Sequence, residues 1–366
     1  MIRRYRLLFL LLAFVLAACA GEDAQPAAPE STTLPPTEPP TEQAATATSA
    51  QETAVEEETP AVGTDERDGR IYAVGYINQR QHLLVLDLAT GEESSLFTVP
   101  RDAWLSEVTA SPDGQQLLLA YAPSPEQNQA QFGFTALYVM PADASSEPEL
   151  LIAQEDPSET FFNISWPLED TIYYAHMAPS IDDLGAVLYL SQIERAHLPG
   201  AEVEVLVKDA AWPRLSDDGA RLAYVTETGD LMLSAANGSS PELLLGPETF
   251  AAVDAPLFSP DGSQLYFSAV DLAPATSLSP LDRLMGVQVA QAHSVPSDWW
   301  RLPVGQAPQA GRLTTVDKIG LYGDFDDDGR YLYFVAVDGV YVMGSDGQEL
   351  TQLSTTPMLP TIDWTP

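Results

Sequence analysis

The sequence is poor in cysteine and in basic residues. Cys19 is the only cysteine among 366 residues, so a domain downstream of it cannot form an internal disulfide and must be stabilised by packing. From Asp68 onward the chain has 42 acidic and 12 basic residues, a net charge of −30. A field of that sign repels nucleic acid and anionic lipid headgroups, so we expect neither as a direct ligand.

Sequence motifs of enzyme active sites are also missing. The chain has no Gly-x-Ser-x-Gly, no His-Glu-x-x-His, no phosphate-binding loop and no dinucleotide fingerprint. None of the four histidines is spaced from another as a local metal-binding pair. We therefore expect a protein without catalysis and without a resident cofactor, calcium excepted as discussed below.

Residues 1–18 have the pattern of a signal peptide. Basic residues precede an apolar run from Leu7 to Ala18, which is shorter than a comfortable membrane span. The run ends in Leu16-Ala17-Ala18-Cys19, which resembles the lipobox of bacterial lipoproteins. The resemblance implies cleavage before Cys19 and acylation of that residue, and several acyl chains give a stable anchor. It implies an exported protein on the outer face of the cell membrane, or in the outer membrane of a Gram-negative host.

Residues 19–66 are expected to form a disordered tether. The stretch after Cys19 has seven prolines and many Thr, Ala and Glu residues, with few large apolar side chains. Such a composition offers too little apolar surface to offset the entropy of ordering the chain. The folded domain is therefore predicted to span residues 67–366.

A turn motif recurs through that domain. Each copy is followed by a short run of β-branched, aromatic or other apolar residues, which is typical of a buried strand. Aspartate and glycine tolerate the backbone angles of tight hairpin turns. The copies are Ser111-Pro112-Asp113-Gly114, Ser216-Asp217-Asp218-Gly219, Ser259-Pro260-Asp261-Gly262 and Asp326-Asp327-Asp328-Gly329, with a divergent copy at 166–174 in which Leu-Glu replaces Asp-Gly.

A second turn and a further short strand follow in each unit, which gives four strands per repeat. This spacing is typical of the blades of a β-propeller. The C-terminal segment 362–366 matches an innermost strand, and Asp68-Gly69 matches the turn that should follow such a strand. We predict an all-β, six-bladed propeller with four-stranded blades, closed by the C-terminal strand pairing with the N-terminal blade.

The Ser-Pro-Asp-Gly units resemble the repeats of the TolB-like propellers, which also occur in the propeller domains of prolyl oligopeptidases. The resemblance covers residues 68–366 and implies a six-bladed propeller. It implies little about function, because these propellers serve as general binding platforms.

One motif is compatible with a metal ion. Asp324, Asp326 and Asp328 alternate as in the opening of a calcium-binding loop, although Val335 stands where the final glutamate of an EF-hand would be. The alternative is an acidic copy of the ordinary blade turn.

The longest connections indicate where a partner could bind. Segments 122–133, 177–185 and 271–297 are predicted to join second and third strands, on the face opposite the Asp-Gly turns. The last contains a helical pattern after Ser279. A partner surface is predicted there, or alternatively a helix packed on its own blade with a tryptophan filling the gap between blades. The residues predicted for that surface are Leu284, Met285, His293, Trp299 and Trp300.

These observations predict a monomeric, membrane-anchored lipoprotein whose propeller binds an envelope protein, a glycan or another cell-envelope ligand. The alternative is a calcium-dependent binder or an enzyme that uses carboxylates facing the channel.

Overall fold

The computed structural model describes residues 67–125, 134–181, 185–200, 202–272 and 295–366. These residues form 24 β-strands in six antiparallel sheets of four strands. The innermost strands of consecutive sheets contact each other all the way round, so the sheets close into a ring. The predicted all-β, six-bladed propeller is therefore confirmed. Among the described residues, no helix has the length and apolar character needed to cross a bilayer.

The sheets are called blades 1 to 6 in chain order. Blade 1 contains β1 (Arg70–Ile77), β2 (Arg80–Asp87) and β3 (Glu93–Thr98), and blade 2 contains β4 (Trp104–Ala110), β5 (Gln116–Ala122), β6 (Ala136–Pro141) and β7 (Glu149–Ile152). Blade 3 contains β8 (Thr160–Leu168), β9 (Thr171–Ile181), β10 (Val187–His197) and β11 (Glu202–Lys208), and blade 4 contains β12 (Ala210–Leu215), β13 (Arg221–Thr226), β14 (Leu231–Ala235) and β15 (Glu242–Leu245). Blade 5 contains β16 (Phe250–Phe258), β17 (Gln264–Asp271), β18 (Asp298–Pro303) and β19 (Gly311–Arg312), and blade 6 contains β20 (Tyr322–Phe325), β21 (Tyr331–Ala336), β22 (Gly339–Gly344) and β23 (Thr351–Ser354). The last strand, β24 (Met358–Thr365), is the innermost strand of blade 1.

The repeated motif forms the turn between the first and second strands. In blade 5, Ser259 Oγ accepts a hydrogen bond from the Gln264 N–H (3.0 Å) and donates one to Asp261 (2.6 Å). Gly262 has a φ of 65°, in the left-handed region that glycine tolerates. Blades 2 and 4 repeat this arrangement, which explains why serine, aspartate and glycine recur together.

The divergent copy in blade 3 keeps the strands but changes the turn. Leu168 pairs with Thr171 across a turn without glycine, and the two neighbouring strands remain antiparallel. The predicted blade is thus present with a different connection.

Each blade is buried on both faces. Alternate residues of β1 point to opposite neighbours: Ile71 and Ala73 pack against blade 6, whereas Tyr72 and Val74 pack against blade 2. Six hydrophobic clusters occupy the six interfaces between neighbouring blades. Burial of both faces explains the nearly continuous apolar runs of the second strands, since neither face needs polar residues.

The C-terminal strand completes blade 1, as predicted. Thr365 pairs with Arg70 and Ile362 pairs with Ala73, so β24 lies inside β1. The chain approaches itself closely here, because a Cβ atom on Gly69 would lie 2.4 Å from the Thr365 carbonyl oxygen. Gly69 has a φ of 99°, so glycine is required at this junction by both space and backbone conformation.

The predicted loop 177–185 is wrong in its first half. Residues 177–181 continue β9, and they pair with Val187–Ser191 of β10. The apolar run at Val187–Leu190 supplies the opposing strand, which extends the hairpin past the end of its blade. The connections between β5 and β6 and between β17 and β18 do join second and third strands, although most of their residues lie outside the described part.

Candidate functional site

Irregular inner strands line the ring. In β8, Asn163 and Ile164 together oppose one residue of β9, and the same two-against-one arrangement occurs in β12 and β16. The first bulged residue has a positive φ in each case: 49° at Asn163, 62° at Trp212 and 49° at Ala255. A bulge leaves backbone groups without their partner in the sheet. In β8 and β12 such a group points towards the neighbouring inner strand.

Side chains of one inner strand accept hydrogen bonds from these groups on the next. Glu107 accepts from the Ile164 N–H (2.9 Å), and Asn163 accepts from the Trp212 N–H (3.2 Å). Thr361 accepts from the Val108 N–H (3.0 Å), which lies on the inner edge of β4 and not in one of these bulges. Polar residues inside the ring therefore fasten neighbouring blades together, because each replaces a hydrogen bond that the sheet lacks.

Two aspartates extend this pattern across the ring closure. Asp324 accepts from the Trp364 N–H (2.9 Å), and Asp363 accepts from the Ala110 N–H (3.0 Å) and from the Thr109 hydroxyl. Burial raises the pKa of both carboxyl groups, and the negative charge of Asp324 raises the pKa of Asp363 further. The two carboxyl groups interact directly, and their closeness adds to burial in disfavouring ionisation of both at once.

A single guanidinium faces these acids. Arg214 on β12 lies over the ring of Tyr322, 5.2 Å from its centroid, and interacts electrostatically with Asp324, Asp363 and Glu107. No carboxylate of the described residues lies within ion-pair distance of it. Burial raises the pKa of Glu107 to about 7, an effect larger than the opposing effects of its hydrogen bonds and of Arg214. Burial thus disfavours the charged forms of these carboxyl groups, and Arg214, which forms no ion pair with a described residue, is available to a ligand.

The ring opens into a cavity of about 290 Å³ on the face of the Asp-Gly turns. All six blades contribute to it through the ends of their inner strands and the residues that follow. Partial burial and the negative charges of Asp324, Asp327 and Asp218 raise the pKa of Asp217 at the rim to about 6. The lining residues that carry charge are Arg214, Asp217, Asp324, Asp326, Asp327 and Asp363. We call this the channel mouth.

The three aspartates of the predicted calcium loop are not brought together. Asp324 faces the ring interior, Asp326 accepts a hydrogen bond from the Tyr331 N–H (3.0 Å) in its own turn, and Asp328 lies 3.5 Å from Arg330 at the surface. Asp326 occupies the position of Ser259 in blade 5, so its carboxylate replaces the serine hydroxyl of the turn. Within the described ranges, no group of three or more His, Cys, Asp or Glu residues could hold a metal ion.

The two tryptophans of the predicted partner surface differ in their exposure to solvent. Trp299 is fully buried and packs edge-on against Phe334 of blade 6, so its assignment to a surface is wrong and the alternative of a gap-filling side chain holds. Trp300 is partly exposed and lines a groove of about 550 Å³ between blades 4 and 5. Leu284, Met285 and His293 lie outside the described residues, as does Cys19.

Sequence reasoning missed most of the channel residues, although a signal for them exists. Arg214, Asp324 and Asp363 each stand two residues before the first residue of a turn motif, inside an otherwise apolar strand. In blade 5 the same position is Leu257. A charged side chain at an inner-strand position with that spacing indicates a residue that faces the ring interior.

Comparisons with known proteins agree with this architecture. TolB from Acinetobacter baumannii superimposes with a TM-score of 0.55 over 81% of this chain and 67% of its own length, at 13% sequence identity. The fold is that of a TolB-like propeller. A putative TolB from Agrobacterium tumefaciens has a TM-score of 0.49 over 81% of this chain and 99% of its own, at 16% identity. An oligogalacturonate lyase in complex with manganese has a TM-score of 0.48 at 13% identity, over 78% of this chain and 74% of its own.

No protein-family model and no curated protein matches the sequence. At identities this low, the similarity of the TolB-like propeller to solved structures establishes the fold and leaves the ligand to be argued from the chain itself.

Proposed function

We propose that this TolB-like propeller is a lipid-anchored, extracytoplasmic binding protein that takes a protein ligand at the channel mouth. The observation that supports the site is the cavity itself, to which every blade contributes. A site built on the ends of six packed strands is held rigidly, which favours binding because little order is lost when a ligand enters.

Charge suggests which ligand group enters. Burial raises the pKa of Asp217, and the repulsion of neighbouring rim carboxylates raises it further. An incoming lysine or arginine side chain would relieve that repulsion, and Arg214 deeper in the ring would meet an acidic group beside it. We therefore propose a partner loop that presents a basic side chain first.

We propose further that binding proceeds without catalysis. The carboxyl groups that resemble general acids, Glu107 and Asp363, have oxygens engaged by backbone N–H groups of neighbouring strands. A group fixed in this way holds the ring together, and moving its proton to a substrate would weaken that contact.

Site-specific photocrosslinking in living cells tests the site. A photoreactive residue at Asp327, which is exposed on the rim, is compared with one at Glu149, which is exposed on the outer strand of blade 2. We expect a protein adduct from position 327 alone. An adduct from both positions, or from neither, would contradict a specific protein ligand at the mouth. An adduct with glycan alone would move the proposal to an envelope polysaccharide.

The anchor is tested separately with Cys19→Ala. We expect the wild-type protein to sediment with membranes and the variant to be recovered in the soluble fraction after export. Equal membrane association of the two would contradict lipidation at this cysteine.

A second candidate is a calcium-dependent binder or an enzyme that uses the channel carboxylates. The raised pKa values of Glu107 and of the Asp324–Asp363 pair favour it, because carboxyl groups with raised pKa values can exchange protons closer to neutral pH. The melting temperature in calcium and in chelator distinguishes the two candidates. A rise of several degrees in calcium that disappears in Asp324→Asn would favour the second candidate.

A further inference from the structure

An extended hairpin of blade 3 carries the most exposed apolar surface of the described residues. Residues 178–181 of β9 pair with residues 187–190 of β10, beyond the point where the outer strands of the blade end. β8 begins opposite Met177, and the last pair of β11 is Lys208 with Gln192. Among the described residues, the two segments therefore form a two-stranded unit with no neighbouring strand on either side, which we call the ribbon.

The ribbon is apolar on both faces. Five of the twelve large apolar side chains that are exposed in the described residues lie on it, and Ile181 is 74% exposed. The others are separated along the chain or belong to outer strands. Two-stranded ribbons are marginally stable alone, and exposed apolar edges recruit further strands.

One edge of the ribbon is not occupied by any strand of the described residues. Ser191 directs its backbone groups away from β9, because its N–H donates to Glu227 (3.0 Å) and its carbonyl accepts from the Asp209 N–H (2.8 Å). The alternation of a β-strand then places the N–H and C=O groups of Tyr189 and Val187 on this same edge. Neither residue has a backbone partner on that edge within the described part of the chain.

The other edge is blocked. Pro179 pairs with Tyr189, whose backbone groups point away from β9. In an antiparallel pair of this kind the groups of both residues point away from the partner strand, so the nitrogen of Pro179 points to the edge of β9 that is not paired with β10. Proline has no N–H there, and proline on an edge strand is a device that prevents pairing. The ribbon is thus closed on the β9 side and open on the β10 side.

We propose that the β10 edge of the ribbon binds an extended segment of another protein as an added strand, with alternating apolar side chains and basic residues at its flanks. The backbone groups of Val187 and Tyr189 would form up to four hydrogen bonds with it, continuing the line of β11. Asp209 and Glu227 lie where the added strand would pass the base of the ribbon, beside Lys208. A basic flank is favoured there.

Charge also argues against a second copy of this chain as the occupant. Two propellers with a net charge of −30 each repel one another, and the same acidic residues would meet at the junction. A partner strand with positively charged flanks would instead be attracted to this acidic surface.

Fluorescence anisotropy tests the proposal with defined peptides and the full mature chain. The probe is a labelled peptide of alternating valine and threonine with a lysine at each end, N-methylated along one edge so that it cannot associate with itself. We expect it to bind, and a peptide N-methylated along both edges to bind at least about tenfold more weakly, because about two to four hydrogen bonds are lost. Glutamate in place of lysine is expected to weaken binding about as much.

Matched protein variants locate the binding. Leu188→Ser on the ribbon should weaken binding about fivefold, whereas Leu243→Ser, which removes a similarly exposed leucine from blade 4, should leave it unchanged. Equal affinity for both N-methylated peptides, no binding of the one-edge peptide, or equal effects of the two variants would overturn the proposal. So would sedimentation that shows a dimer of the chain whose formation excludes the peptide.

Discussion

Removal of the last strand should destabilise every blade. A chain that ends at residue 357 lacks β24, so β1 becomes the inner edge of blade 1 and loses its pairing from Arg70 to Gly75. The loss reaches two further blades, because β24 contacts β4 of blade 2 and β20 of blade 6. In a closed ring each blade is packed between two neighbours, so the loss of closure at blade 1 affects the packing of the whole ring.

The magnitude follows from what β24 buries. Met358 and Ile362 are almost completely buried, and burial of such side chains contributes about 1.5–3 kcal/mol each. Three contacts between blades also disappear, made by Thr361, Asp363 and the Trp364 N–H, and each contributes about 0.5–1.5 kcal/mol. The total of about 5–10 kcal/mol is comparable with the whole free energy of unfolding of a typical domain, about 5–15 kcal/mol.

Thermal unfolding, followed by circular dichroism, measures the effect. We expect the truncated chain to unfold without a cooperative transition, or to melt at least about 10 °C below the full chain. Leu350→Ala, a change at an exposed side chain near the last outer strand, is the control and should shift the melting temperature by less than about 2 °C. A truncated chain that melts within a degree or two of full length would refute the reasoning that β24 closes the ring.

Three further predictions concern single residues. Gly69→Ala should lower the free energy of unfolding by about 2–4 kcal/mol, because the new Cβ would meet a carbonyl oxygen. Gly91 also has a positive φ but open space around it, so Gly91→Ala should lower the free energy of unfolding by about 1 kcal/mol. Chemical denaturation measures both effects. The folded-state pKa of Glu107 lies above its ordinary value of 4.5, so its contribution to stability is fully present below about pH 4.5 and is lost as pH rises through about 7. Chemical denaturation at pH 5 and pH 8 should show that Glu107→Gln removes at most about 3 kcal/mol of the pH dependence of the free energy of unfolding. The same pH dependence in the variant as in the wild type would contradict this prediction. Burial lowers the pKa of His176, but the hydrogen bond and the charge of Glu194 outweigh burial, so the net shift of this pKa is upward. The stabilisation by the imidazolium is therefore present below about pH 6.5 and is lost as pH rises further. Titration of the histidine by NMR should give a pKa above 6.5 that falls in Glu194→Gln.

The number of blades could be predicted because its determinants are local. Each turn motif lies within six residues, and its serine, aspartate and glycine act on one another inside a single hairpin. The apolar runs that follow are buried on both faces whatever the neighbouring blade contains. The composite blade could be predicted for the same reason, since each end of the propeller domain carries half of a recognisable repeat.

The channel residues could not be predicted in the same way. Glu107 acts on Ile164 and Asp363 acts on Ala110, contacts between residues that are 57 and 253 positions apart. The Glu107 contact depends on the bulge of β8, which changes where the Ile164 N–H points, whereas the Asp363 contact depends on ring closure, which brings β24 beside β4. The bulges contain no glycine, and proline marks those of β12 and β16 but not that of β8. The aspartates of the predicted calcium loop show the opposite case: their local spacing suggested convergence, but β20 ends at Phe325 and the following turn directs Asp326 and Asp328 away from Asp324.

The channel mouth and the ribbon lie on opposite faces of the propeller. The mouth is on the side of the turns between first and second strands, whereas the ribbon extends a connection between a second and a third strand. Because successive connections in a meandering blade lie at opposite ends of its strands, a ligand at one site leaves the other accessible. The two proposals are therefore independent: saturation with the ribbon peptide should leave the adduct at position 327 unchanged, and a protein that occupied both sites at once would have to reach around the edge of the ring.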